Sequence, residues 1–295
     1  MIKKILILES LLVFVAILLL TCDKIEKPYS TQTVEITYCD TPTFPPLNAN
    51  DVIQKYLLED FTGHKCPNCP RGQRTAAQMK VAMGDTLIVV SIHTGSLSRP
   101  DASGGDCAFT TDFRTDMGTA IDNAFGASDA GLPKGMINRL TFGTKPLVDD
   151  LNWEASMRSI ERKAPSIGLQ IIPDIHNDTV CIFVKTSLLS TIDSGARICV
   201  ALVEDSIVAP QKGNVANGDL ATMCDYVHNH VLRCGATSYE GVALGISQAG
   251  DTTINAFAIA LNTTQWNTAH CHLIAYIIDK TTQQILQIEE KKLIE

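Results

Sequence analysis

The chain has 295 residues, enough for two domains of ordinary size, and 45% of them are hydrophobic, enough for real cores. The formal net charge is −8 and no Lys/Arg stripe interleaved with aromatic residues appears, which argues against a nucleic-acid partner. Ten cysteines are many for a reducing compartment and natural in an oxidising one.

The N-terminus agrees with an oxidising location. Met1-Ile-Lys-Lys4 is a basic start, and Ile5 to Leu20 is apolar apart from Glu9 and Ser10, the pattern of a signal peptide. Leu19-Leu20-Thr21-Cys22 resembles a lipobox. Residues 1–21 therefore read as a lipoprotein signal peptide, with Cys22 lipidated and tying the chain to a membrane. Thr21 stands where Gly, Ala or Ser is usual, so an uncleaved membrane anchor is the alternative. Residues 22–50 hold Pro28, Pro42, Pro45 and Pro46 and read as a tether, with a short strand at Val34–Tyr38.

The next elements come in the order strand, helix, strand. Lys55–Asp60 is a strand candidate. A helix is expected over Pro67–Met83, with Pro67 in the first turn, where its missing N–H has no partner anyway, and with Gly84 as the stop. Leu87–His93 is a continuous apolar run of strand length, as expected of a strand buried on both faces. A polar, glycine-rich loop covers 94–116. Met117–Phe125 reads as a helix, Met136–Ile137 as a strand closely preceded by Leu132-Pro133, and Trp153–Lys163 as an amphipathic helix. From Ser166 the texture changes to many short strands, clearest at 167–172, 180–186, 196–203 and 272–278, weaker at 242–246, 254–261 and 284–289. Many strands with little helix predict an antiparallel sandwich.

Cys66-Pro67-Asn68-Cys69 opens the first helix after the first strand. A C-x-x-C in that position is the usual site of a thiol–disulfide motif. The unpaired N–H groups and partial positive charge of a helix start stabilise a thiolate, so Cys66 is expected to be the nucleophile, helped by Lys65, Arg71 and Arg74. Cys69, one turn on, can close a Cys66–Cys69 disulfide. The bland alternative is a structural disulfide. A zinc site would need two further ligands, for which only His64 and Cys107 are conceivable, and covalent haem would need a histidine where Pro70 stands. The pairs His228/His230 and His270/His272 would each share a strand face, yet no carboxylate cluster accompanies them. No phosphate loop, nucleophile elbow or His-Glu-x-x-His is present. Neither metal nor cofactor is expected. Setting Cys22 and the C-x-x-C aside leaves seven cysteines, so at least one is unpaired or intermolecular. Cys224 and Cys234 flank Tyr226–Arg233 and could form a local Cys224–Cys234 disulfide.

Leu57–Pro70, Ser91-Ile-His93, Gly131-Leu-Pro-Lys-Gly-Met-Ile-Asn-Arg139 and Tyr226-Val-His-Asn-His-Val-Leu-Arg233 together resemble the outer membrane protein 28 family of envelope lipoproteins. That resemblance implies an α/β thioredoxin-like domain at 51–165 followed by an all-β, immunoglobulin-like sandwich at 166–295. It implies Cys66 as attacking and Cys69 as resolving thiol, Asp60 as a buried carboxylate assisting deprotonation, and Pro133 as a cis-proline that aligns an extended substrate. Lys65 replaces the usual Trp and Lys134 the usual Thr. The expected function is thiol–disulfide exchange on envelope or extracellular proteins at the outer membrane. The alternative is a surface-exposed binding or adhesion protein that uses both domains as scaffold.

Overall fold

The computed structural model describes residues 39–193 and 195–295. The expected signal peptide, Cys22 and the strand expected at 34–38 lie outside the described residues. The architecture is mixed α/β with a large share of sheet.

Strand β1 (Tyr56–Thr62) leads into helix α1 (Cys69–Met83) and back into β2 (Leu87–His93), which pairs parallel with β1. Helix α2 (Asp116–Phe125) follows, capped at its start by the Thr115 side chain accepting from Gly118 N. Strand β3 (Lys134–Ile137) runs antiparallel to β1, the two-residue β4 (Val148–Asp149) pairs with β3, and helix α3 (Trp153–Ser159) follows. Several boundaries differ from the sequence reading, β1 running on to Thr62 and β3 starting at Lys134 among them. Helix α1 begins at Cys69 instead of Pro67, because residues 67 and 68 form a turn ahead of it. Helix α3 stops at Ser159, short of Lys163.

From residue 166 onward the described chain contains no α-helix. Strands β5 (Ile167–His176) and β6 (Thr179–Leu188) form an antiparallel pair, with β12 (Thr252–Ala260) on the other side of β6. Strand β7 (Arg197–Glu204) is flanked by β13 (Cys271–Ile278) and by β10 (Val231–Gly235), while β14 (Ile285–Lys292) edges β13 and the short β11 (Val242–Ala243) pairs with the start of β7. Strands β8 (Ile207–Lys212) and β9 (Thr222–His228) form a separate two-stranded sheet.

The position expected for a domain boundary, 165/166, does not divide the main sheet. Nine strands from both sides of it form one sheet, joined where β10 runs parallel to β2 through Val231 and Ser91. On one face of this sheet, Leu58 and Val89 meet α1 and α3 through Ala76, Met79, Trp153 and Met157. On the other face, Leu57, Val90 and Met136 share a core with Met117 and Ile121 of α2 and with Ala201 and Tyr276. The alternation of side chains along β1 and β3 makes both cores possible. Ile198, Val200 and Leu273 point away from that second core, onto Ile171 and Ile182 of the three-stranded sheet.

One buried ion pair lies inside the core that joins the two halves. Arg139 Nε and Nη2 donate to the two Glu59 oxygens at 3.0 and 2.8 Å, and the guanidinium lies over the rings of Phe125 and Tyr276. Burial alone would strip the charge from Arg139, but the adjoining Glu59 carboxylate outweighs it and raises the pKa.

Candidate functional site

Strand β1 carries the chain to Gly63, where it crosses close to the turn at Ser96–Ser98. A Cβ on Gly63 would lie 2.9 Å from the Leu97 carbonyl carbon, so no larger residue fits. Lys65 N donates to Leu97 O and Cys66 N to Gly63 O, which fixes the loop. Cys66 and Cys69 are joined in a disulfide with Cα atoms 5.4 Å apart. Cys69 is the first residue of α1, and Cys66 sits in the turn just ahead of it. Each is only 1% exposed. An exposed Cys66, as direct attack on a partner protein requires, is not what this state of the molecule presents.

The Leu132–Pro133 bond is cis. Pro133 is buried against α1: a Cβ on Gly72 would lie 3.2 Å from Pro133 Cβ and 3.3 Å from the Trp153 ring. Gly72 is one turn beyond Cys69, so the absence of a side chain there lets the proline loop reach the first turns of α1.

Asp60 lies on the α1 side of β1 and is fully buried, with neither carboxyl oxygen hydrogen-bonded. Burial, and secondarily the Asp150 charge, push its pKa up to about 8. Asp150 has its own partner: Arg71 Nε and Nη2 donate to it at 2.6 and 2.9 Å. Asp60 is therefore protonated at neutral pH and can release a proton locally. Its folded pKa is raised, so its contribution to stability is full below about 3.8 and is lost as pH climbs towards about 8. The Asp60→Asn variant is expected to be more stable than wild type at pH 8 by roughly 1–3 kcal/mol, the gain being limited by an amide that is still unpaired. Urea denaturation at pH 8 and pH 5 checks this. A variant equally or less stable at both would show that Asp60 is not held protonated by burial.

The sequence reading missed what covers the disulfide. The β8–β9 hairpin packs over it with Ala209, Gln211 and His228 buried beneath. Gln211 Nε2 donates to Cys66 O at 3.0 Å and to Gly63 O at 3.3 Å, and Lys212 N donates to His64 O. Asn214 Nδ2 donates to Asn68 Oδ1 inside the C-x-x-C itself. Arg74 pairs with Asp219, and Tyr226 OH donates to Gln73. Burial, followed by the nearby Asp60, pushes the Tyr226 pKa up to about 12.

Beside the disulfide, His64, His93 and His228 surround Phe113, whose ring centroid is 5.9, 4.6 and 5.0 Å from theirs. Burial lowers the pKa of all three histidines, to about 4 for His228. An aromatic ring fills the centre of this group, where a metal would have to sit. His228 and His230 do not share a face: His228 is buried in β9, and His230 lies in the following turn at φ 58°, with its N–H donating to Asp205. With Ser206 N donating to Asn229 Oδ1, this segment is a hydrogen-bonded corner.

The Cys224–Cys234 disulfide does not form. Cys224 bonds to Cys107, and Cys234 is a free thiol. The reason lies in the sheets: Cys224 is on the separate hairpin and faces outwards, whereas Cys234 belongs to the main sheet and packs on the core between the sheets. A third disulfide ties Cys39 to Cys181 of β6. Burial raises the pKa of the remaining described thiols, Cys199, Cys234 and Cys271, to about 12, so they stay protonated and are poor nucleophiles.

With this geometry in view, the comparisons with known proteins bear on ancestry. The family model described as "Outer membrane protein Omp28" matches residues 119–295, more than half of the chain. The chain belongs to the Omp28 family. Membership places it in the cell envelope, at the outer membrane. The family match begins beyond Cys66 and Cys69 and carries nothing about them. Among the described residues no helix is long and apolar enough to cross a membrane. None of the curated proteins matches the sequence. Among solved structures, HBP35 of Porphyromonas gingivalis is similar at 15% identity and TM-score 0.59, with 82% of this chain and 76% of that one covered, which is a likeness of fold. A structural-genomics target from Agrobacterium tumefaciens has 14% identity, TM-score 0.46 and coverage of 83% and 96%. A domain of the outer membrane lipoprotein Omp28 from P. gingivalis has 14% identity, TM-score 0.31 and coverage of 46% and 93%.

Proposed function

We propose that this Omp28-family protein carries a thiol–disulfide exchange site of thioredoxin-like form, anchored at the outer membrane through a lipid on Cys22 and acting on envelope or extracellular proteins. The observation that carries the reading is the convergence of four features. A disulfide stands at the start of α1, a protonated Asp60 is buried on the α1 side of the preceding strand, a cis-proline packs one turn along α1, and β1–α1–β2–β3 runs parallel then antiparallel. In the reduced protein the Cys66 thiolate attacks a partner disulfide. Cys69, giving up its proton to the minority of Asp60 that is ionised, then resolves the mixed disulfide, and the partner's thiolate leaves and takes up a proton. Residues 166–295, read as an immunoglobulin-like sandwich, present and cover this site.

The burial of Cys66 favours a second reading, in which the disulfide is structural and the chain is a lipid-tethered binding or adhesion protein. One experiment separates the two. Cys69→Ala in cells is expected to accumulate reductant-sensitive covalent adducts through Cys66, and these should be missing from Cys66→Ala/Cys69→Ala. No adducts, together with failure of Cys66 to alkylate after mild reduction, would leave the binding reading.

A further inference from the structure

We infer that the Cys107–Cys224 disulfide is a second thiol-exchange site, one that a dithiol reductant opens first and that thereby frees the β8–β9 hairpin from the Cys66–Cys69 disulfide. The inference rests on the reading of Cys66–Cys69 as an exchange site and adds the control of access to it. The two disulfides differ sharply in exposure. Cys224 is exposed and Cys107 half-buried, while Cys66 and Cys69 are 1% exposed. Attack on a disulfide requires access to sulfur, so a reductant in solution meets Cys107–Cys224 first.

The hairpin is built to depend on that bond. It forms no ladder with either of the other sheets, and a two-stranded hairpin on its own is marginal in water. Its remaining ties to the C-x-x-C loop are a few polar contacts. Those of Gln211 and Lys212 reach loop carbonyls, and the Arg74–Asp219 pair keeps its arginine about half-exposed over a nearly buried carboxylate. The outer face of the hairpin offers no packing, with Val208 and Val227 exposed. The covalent tie bridges 117 residues and fastens β9 to the turn at Gly105–Cys107. That turn is itself held at Phe109, whose ring centroid lies 5.3 Å from that of His64, two residues before Cys66. Thus one exposed disulfide links the cover to the loop it covers.

The chemistry balances. One thiolate of the dithiol attacks Cys224 Sγ, the sulfur–sulfur bond breaks, and Cys107 leaves as a thiolate and takes up a proton. The second thiol of the donor then attacks the mixed disulfide and releases the Cys224 thiol, so the donor ends as a disulfide and the protein as a dithiol. The hairpin, now held by its polar contacts and by the packing of Ala209 and His228 around Phe113, can lift without a covalent tie, and Cys66–Cys69 becomes open to the next dithiol.

The test uses the full mature chain and limiting dithiothreitol, with alkylation at timed intervals and peptide mass spectrometry. In wild type, Cys107 and Cys224 are expected to label first, with Cys66 and Cys69 following after a lag. In Cys107→Ser/Cys224→Ser the lag should vanish and Cys66–Cys69 should reduce about tenfold faster or more, because access no longer waits on the first exchange. Hydrogen exchange in β13, remote from the hairpin, should stay at the wild-type level and so exclude general unfolding. If the double variant does not fold, the wild-type labelling order alone decides. Labelling of Cys66 and Cys69 before Cys107 and Cys224, or reduction of Cys66–Cys69 at equal rates in both proteins, would overturn the inference. Equal rates would leave Cys69→Ala trapping untouched, and failed trapping would leave the order of reduction untouched, so the two readings fail separately.

Discussion

Arg139→Met is expected to lower the unfolding free energy by about 3–5 kcal/mol, the usual cost of removing one partner of a buried ion pair. Both side chains are almost completely buried, and Glu59 receives both of its bonds from the one guanidinium. Methionine fills much of the arginine volume, so packing loss is small, and the dominant cost is a carboxylate left without its countercharge in a core of Leu57, Val90 and Tyr276. The double variant Glu59→Gln/Arg139→Met removes that uncompensated charge and is expected to recover a large part of the loss. Urea denaturation of the two variants at pH 7 measures both numbers. A loss below about 1 kcal/mol for Arg139→Met would mean that the pair is solvated, and a double variant as weak as the single one would mean that packing dominates. The pair also explains the position of Arg139 at the end of the Gly131–Arg139 motif. It reaches from the end of β3 to the Tyr276 ring on β13, so one residue ties the first strands of the chain to the last.

How much of this could be read from the sequence varies by element, for physical reasons. Strand β2 occupies Leu87–His93 as expected, because a seven-residue apolar run between turn signals has few other ways to bury itself. Helix α1 and the disulfide at its start follow from local chemistry, with a shift of two residues where the turn at 67–68 delays the helix. The hairpin over the site was not legible. Pro210 interrupts β8 and demotes it in any strand reading, and in the fold it sits at a bulge between Ala209 and Gln211 on a strand paired on one side only. Pairing cysteines by proximity failed for a similar reason. Cys224 and Cys234 are ten residues apart, yet they lie in different sheets, and the bond spans 117 residues to a glycine-flanked turn that carries no periodic signal. The continuity of the main sheet depends on a single parallel pairing of Val231 with Ser91, a long-range contact with no local signature.

Stability should pass through a maximum near pH 6.5, because groups of opposite behaviour meet at the same site. His93 and His228 are buried beside Phe113 and His64, with Arg233 and Tyr226 nearby, and burial lowers both pKa values, that of His228 to about 4. A depressed folded pKa gives stability that is present above the unfolded value, about 6.5, and lost as pH falls from there to the folded value. For His228 the window is pH 6.5 to 4, and each imidazole kept neutral in it contributes about 1.4 kcal/mol per pH unit. Asp60 has the reverse sign: its folded pKa is raised to about 8, so stability falls as pH rises from about 3.8 to 8, with a slope of the same size. Below pH 6.5 two imidazoles oppose one carboxyl and stability falls on acidification; above it Asp60 acts alone and stability falls on alkalinisation. Denaturant midpoints between pH 4 and 9 should therefore trace a peak. In Asp60→Asn the alkaline limb should flatten and the acid limb steepen, and in His228→Phe, a near-isosteric ring, the acid limb should lose most of its slope, because the His93 imidazole then only balances the Asp60 carboxyl. A curve that rises steadily from pH 4 to 8 in wild type would show that Asp60 ionises freely, and one that is flat below pH 6.5 would show that the imidazoles are solvated. Either result would imply that the cover over Cys66 is open in solution, because the hairpin that hides the sulfur also supplies His228 and places Tyr226 near Asp60.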